Sequence, residues 1–523
     1  RRFVNPQLHT GSYLERTNMI VVAAKRPELL LSAAQKPHHC QTYCQPLYRH
    51  RTVPLPAQFR LGVTSLQRRD TTVNATVRDQ DRLQSSVMLA PLRTLQRQLS
   101  AVPADNPLGA LAKILLPGPA LYLPALLIPA ITIIAAFGSV HGVAWVSWVL
   151  KLVFGDNNVL AIWSKQWGLS PYIDWVNWPV VVSVLFASAG ALADFIALPA
   201  LDVALGRDLD VDDEERIAQL GESGGYRGVL YAFAVMHLGA LAASCHAAGT
   251  GNLHPAALSA LIISQSGCGS VMLTVVHELV HSRHRGSATL ASALLATVGT
   301  MHWSLAHHAH HLNVGKFDDP ATARRGETLY EFLPRNILGN VLDGHRMERH
   351  RLSSKGIPWW SPRNRKIWWV ACPSALAALV YTLWGTDALM LLLWQGMGAN
   401  FLLGAVDYVE HYGLVRGKDT RGRYERVHAK HSWEANWMAT SSVTFRLQRH
   451  AHHHLSASTP YQALQDNKQA PQLPASYPAM VLLALVPPLF FAVVDARLDR
   501  YKAASIAAED RVERTPNPVL KEE

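Results

Sequence analysis

The chain has 523 residues, of which 49% are hydrophobic and only 17% charged, with 25 histidines and five cysteines. Length alone would fit about two to four soluble domains, but repeated apolar runs of roughly 20 residues beside so little charge indicate a membrane protein instead. The formal charge of +11 divides unevenly: residues 1–100 hold 15 Lys and Arg against 5 Asp and Glu, leaving 34 against 33 for everything after. The body of the chain is therefore almost neutral, which excludes a nucleic-acid partner.

Residues 1–104 are rich in Arg, Ser, Thr and Gln and carry no sustained periodicity. They read as a disordered or transit-like extension, either an organelle transit peptide or sequence upstream of a start at Met19 or Met88. Apolar runs then predict an all-α polytopic membrane protein with about six transmembrane helices, near 116–137, 177–197, 228–248, 255–276, 367–384 and 387–406. Tight connections are expected around Gly249–Asn252 and Gly385–Asp387. Lys and Arg gather after the fourth and sixth spans, which assigns that side to the cytoplasm and gives a histidine-rich cap there. The run Ala288–Trp303 has 16 residues, a rise of about 24 Å against a hydrocarbon core of about 30 Å, so a buried or re-entrant helix is expected. Met480–Val494 contains Pro487 and Pro488 and is expected to pack at the interface. A catalytic membrane domain is drawn over 105–497 and a polar tail over 498–523. The cysteines form no CxxC pair, so sulfur does not carry the chemistry.

The histidines of the second half fall into tight sets: HELVH at 277–281, HHAHH at 307–311, EHYG at 410–413 and HAHHH at 450–454. His277 and His281, at i and i+4, share one helix face. His307, His310 and His311 have the i, i+3, i+4 relation, and His450, His453 and His454 repeat it, with His308 and His452 pointing elsewhere. Neutral imidazole is a strong donor to iron, zinc and copper, so these sets together suggest one polynuclear metal site. HELVH also matches the HExxH signature of zinc proteases, with Glu278 as general base. Such an enzyme needs only one further ligand and leaves the other sets without a purpose.

DYVEHYGLVR at 407–416, GRYERV at 422–427, HSW at 431–433, LQRHAHHH at 447–454 and DDPATARRGE at 318–327 resemble the alkane monooxygenase branch of the membrane-bound fatty acid desaturase and hydroxylase superfamily. So does the stretch 461–489, and the similarity runs from about 105 to 497. The resemblance implies two non-haem irons held by His277, His281, His307, His310, His311, His411, His450, His453 and His454. One box departs from the family's EHxxGHH form: Ala306 stands where a histidine is usual, so His307 or His308 supplies that nitrogen, or one iron has a ligand fewer. Asp407 replaces a usual asparagine and His452 a usual aspartate.

The implied reaction is hydroxylation of the terminal carbon of an alkane or related aliphatic chain, using O2 and two electrons. Glu278 and Glu410, adjacent to ligands, are candidate acceptors for imidazole N–H groups or solvated carboxylates. Electrons are expected from a separate rubredoxin- or ferredoxin-type donor with its reductase, since no CxxC iron site is fused here. Arg346, Arg349 and Arg351 are candidate contacts for that acidic donor or for lipid headgroups. A desaturase of the same superfamily, an intramembrane HExxH zinc metalloprotease and a histidine-rich metal carrier are the competing readings.

Overall fold

The computed structural model describes residues 106–154, 166, 177–209, 212 and 214–514; the extension assigned to 1–104 lies outside them. Among the described residues the secondary structure is helical, with isolated β-bridges such as Lys418 to Tyr424 and no named strand.

The first helix, α1 (Pro107–Leu115), opens on a proline at its first turn, with the Asn106 side chain accepting from the Leu108 N–H. A 3-10 segment, Gly118–Leu126, leads into α2 (Leu127–Phe154). The second apolar run is not one helix. It comprises α3 (Trp178–Ala187), a short α4 (Ala189–Leu192), a π-helical stretch Ala193–Ala197 and α5 (Leu198–Leu205). The two halves are bent by 51°. After α6 (Glu214–Glu222), α7 (Gly224–Thr250) and α8 (Pro255–His281) follow with the expected tight connection. Pro255 again opens a helix, here with His254 as its capping side chain.

The next apolar run gives α9 (Ser287–Thr297), whose 11 residues fall short of a bilayer crossing. The chain then turns through Gly299 at a positive φ of 69° and enters α10 (Trp303–Asn313), which carries the second histidine set. Helix α11 (Leu329–Ser354) starts on a full capping box between Thr328 and Glu331.

Helix α12 (Arg365–His411) is 47 residues long but is broken at Gly385, where φ is 79° and ψ is −161°. Without the break, Trp369 and Asn400 would stand about 46 Å apart. Yet the Trp369 ring lies 6.2 Å from the His302 ring, and the Asn400 side chain donates to the Val298 carbonyl at 2.8 Å. Both ends of α12 therefore meet the same short stretch of chain, so the helix doubles back at Gly385. The two expected runs, 367–384 and 387–406, are its two arms.

Short helices α13 (Met438–Val443) and α14 (His450–Leu455) precede α15 (Tyr477–Ala484) and α16 (Pro487–Arg514). The C-terminal run is thus interrupted just before Pro487, and α16 continues through residue 497. Leu498 is fully buried, so the line drawn between domain and tail falls inside a helix.

Among the described residues four helices, Gly118–Val149, Gly224–Thr250, Pro255–His281 and Arg365–His411, are long and apolar enough to cross a membrane, or five with the bent pair of α3 and α4–α5. Their interior packs through small residues: Ala135, Ala136, Ala187, Ala248, Ala257 and Ala388 lie in one buried cluster with Leu261 and Leu391. Their outer faces stay apolar, with Val235, Val370 and Met397 exposing 70%, 68% and 61% of their surface. Water would penalise such faces, whereas lipid solvates them.

Candidate metal centre

Four helices bring the histidine sets together. His277 and His281 occupy the last turns of α8, and His411 closes α12. Helix α10 supplies His307, His310 and His311, and α14 supplies His450, His453 and His454. The nine nitrogens divide into two groups, His277, His281, His307, His311 and His453 in one and His310, His411, His450 and His454 in the other; within each, the candidate donor atoms lie within 4.8 Å of one another.

The division follows from helix geometry. His307 and His311, one turn apart, face the first group, while His310, rotated from them, faces the second. On α14 the same rotation sends His453 to the first group and His450 and His454 to the second. Helices α10 and α14 therefore stand between the groups, and the His311 and His454 rings are 4.6 Å apart.

Within the first group, Nε2 to Nε2 separations are 3.0 Å for His307 and His281, 3.0 Å for His311 and His307, and 3.1 Å for His453 and His311. In the second, His450 lies 3.2 Å from His411 and 2.8 Å from His454. Two imidazole nitrogens each about 2.1 Å from a shared ion stand about 3.0–3.4 Å apart. His277 Nε2 and His310 Nε2, one in each group, are buried with no hydrogen-bond partner. Histidine clusters of this spacing with orphaned nitrogens fit a pair of transition-metal ions, and the absence of sulfur or many carboxylates is compatible with non-haem iron. Burial, reinforced by the neighbouring imidazoles, holds His307, His450, His453 and His454 well below the usual histidine value. They are neutral at physiological pH, as metal ligation demands.

His308 is excluded from this set. Its ring is exposed, with Nδ1 2.6 Å from the Ser304 carbonyl of its own helix. His307, and not His308, falls within the first histidine group. His452 also turns away, accepting from the Gln465 N–H at 2.7 Å.

Surrounding groups fix several rings, and most of them were not apparent from histidine spacing. Asp319 Oδ2 lies 2.9 Å from His310 Nδ1 and accepts from the Thr322 hydroxyl at 2.6 Å. Burial pulls the His310 ring downward, but the Asp319 carboxylate outweighs it and holds this imidazole above the usual value. Asp319 belongs to the DDPATARRGE stretch, so its signal was present in the motif. His411 Nδ1 donates to the His431 carbonyl at 3.1 Å, which only the fold could reveal. Trp303 stacks on His307 with centroids 4.5 Å apart and planes at 18°.

Glu410 Oε2 is 3.3 Å from His450 Nε2, so this carboxyl adjoins the second group. Glu278 lies farther from His277, at 3.7 Å, and accepts from the Tyr461 backbone N–H at 3.0 Å. It therefore holds the loop after α14 against α8. Of the arginines, Arg346 is exposed beside Asp343 and Arg349 is exposed. Arg351 is committed to Glu348, at 2.6 Å, and to the Arg363 carbonyl.

An apolar cavity opens onto the histidines, lined by His277, Trp303, His307, His310, Leu403 and His450 among others. Ser270, Thr274, Val406 and Leu447 line both it and a second cavity, so the two adjoin as a candidate passage.

A fatty acid desaturase family model matches residues 252–484. The alkane 1-monooxygenase of Acinetobacter baylyi is 31% identical over 62% of this chain and 80% of its own length. Alkane 1-monooxygenase 2 of Pseudomonas aeruginosa is 36% identical over 65% of this chain and 89% of its own. The hydroxylase component of the xylene/toluene monooxygenase of Pseudomonas putida is 31% identical over 43% and 60%. With the apolar helices, these matches make the chain a membrane oxidoreductase with a fatty acid desaturase domain. Within that class, the chain belongs to the alkane 1-monooxygenase family.

Proposed function

We propose that this protein hydroxylates the terminal carbon of an aliphatic chain at a pair of non-haem irons, with His277, His281, His307, His311 and His453 holding one and His310, His411, His450 and His454 the other. The observation that carries this reading is the apolar passage that ends on both histidine groups at once. Reduced iron would supply the power to activate O2; one oxygen atom enters the substrate's C–H bond, and the other leaves as water with two electrons and two protons. The electrons come from a separate rubredoxin- or ferredoxin-type donor served by its reductase, for which exposed Arg346 and Arg349 are the contacts.

The chain's own residues do the rest. Asp319 and the His431 carbonyl fix His310 and His411 in the orientation that presents Nε2. Trp303, Leu403, Val406 and Leu447 give the cavity an apolar wall that would exclude water and accept an aliphatic chain. We place six spans in the catalytic domain, the two arms of α12 counting separately, and the histidine cap on the cytoplasmic side. Gas chromatography of membranes supplied with n-alkanes and fatty acids tests this: primary alcohol is expected, whereas olefin without alcohol favours a desaturase.

A further inference from the structure

The passage does not end in hydrocarbon. Its far part is lined by Phe195, Leu198, Val271 and Val481, and among them stands one carboxyl, Asp194. Asp194 is 5% exposed, and neither of its oxygens has a hydrogen-bond partner. An unpaired carboxyl inside an apolar segment is costly and rarely persists without a task. Nothing in the hydroxylation chemistry described above uses it.

Two features of the backbone are built around this side chain. Asp194 lies in the π-helical stretch Ala193–Ala197, the kind of one-turn widening that accompanies functional sites in helices. Opposite it, α8 carries Gly267, where a Cβ would overlap Asp194 Oδ2. Gly267, Ser270, Thr274 and His277 all line the passage, and their i, i+3, i+7, i+10 spacing sets them along one face of α8. Ten residues of helix advance about 15 Å. An extended hydrocarbon advances about 1.25 Å per carbon, given C–C bonds of about 1.5 Å, so about ten to twelve carbons separate the histidine end from the Asp194 end.

We propose that Asp194 determines substrate specificity by accepting a hydrogen bond from a hydroxyl at the end of the aliphatic chain remote from the carbon to be oxidised. The preferred substrates are then primary alcohols of about ten to twelve carbons, held hydroxyl-first with the methyl at the histidines. A carboxylate or an ammonium would carry a full charge into an apolar passage, whereas a hydroxyl is the polar end group least costly to desolvate. This assignment rests on the hydroxylase reading for the identity of the other end.

The test compares 1-dodecanol with n-dodecane on the full-length protein in membranes, by equilibrium binding of the labelled compounds and by product analysis. The wild-type protein is expected to prefer the alcohol by roughly 2- to 10-fold, the range for a hydrogen bond between uncharged groups. Asp194→Leu abolishes that preference; Asp194→Asn, nearly isosteric and still an acceptor, keeps part of it and controls for misfolding. Equal binding of alcohol and alkane by the wild type, or an alcohol preference unchanged in Asp194→Leu, overturns the assignment. Alcohol-selective binding lost in Asp194→Leu, with no oxidation of either compound, sinks the hydroxylase reading and keeps the role of Asp194.

Discussion

His307 and His308 are neighbours in sequence, yet one ring is buried 3.0 Å from His281 and the other is exposed against the Ser304 carbonyl. Spacing alone left both open, because Ala306 breaks the family's box and either neighbour could reach. The fold separates them: His307 packs within the first histidine group, and the His308 ring turns back onto its own helix. His307→Ala is therefore expected to lower alkane turnover at least ~100-fold, more than loss of an outer partner would, whereas His308→Ala stays within about twofold. Glu425 acts one step further out. It accepts from the Gly417 N–H at 2.7 Å, pairs with Lys430 at 3.0 Å and touches His431, whose carbonyl receives His411. Partial burial pushes the Glu425 carboxyl upward, but Gly417 and Lys430 outweigh it and hold the group at about 2, against 4.5 unfolded. Its stabilisation is complete above the unfolded value and disappears as pH falls toward about 2. Thermal unfolding from pH 6 to pH 3 should show the wild type losing on the order of 1 kcal/mol relative to Glu425→Gln; parallel curves would remove this role.

Among the elements, α14 has only six residues and carries three of the nine histidines, so it needs external anchors. Arg449, just before it, is fully buried, donating to the Asp208 and Leu464 carbonyls and pairing with the Asp208 carboxylate at 3.1 Å. Burial pushes the Asp208 carboxyl upward, but Arg446, Arg449 and Lys113 outweigh it and hold it far below the usual range. Asp208→Asn leaves this buried guanidinium short of a counter-charge and should cost about 3–5 kcal/mol in urea unfolding, with iron lost in step. Nothing in the local sequence marks Asp208 for this role, since its partner lies 241 positions away. Elements themselves were far more legible: α7, α8 and the two arms of α12 follow from apolar runs bounded by Gly and Pro. The bend and π-helical stretch in 178–205 were not legible, because period-based reading assumes a regular 3.6 repeat and cannot register one inserted residue.

At the scale of the whole molecule, the helices place apolar faces outward and all nine candidate ligands at one end of the α8 and α12 helices. Six spans require the turns after α7 and at Gly385 to share the side opposite the histidines. Single cysteines introduced at Asn252 and Asp387 should then react with an impermeant maleimide from one side, and a cysteine at Lys418 from the other. Labelling of all three from one side would remove the six-span topology. Two histidine groups predict two bound metal ions. The most direct measurement is metal content per chain in the purified full-length protein, alongside His281→Ala and His454→Ala. About two irons in the wild type and about one in each variant are expected, each group losing its own ion. A single zinc per chain, lost in His281→Ala and retained in His454→Ala, would rule out a two-iron site.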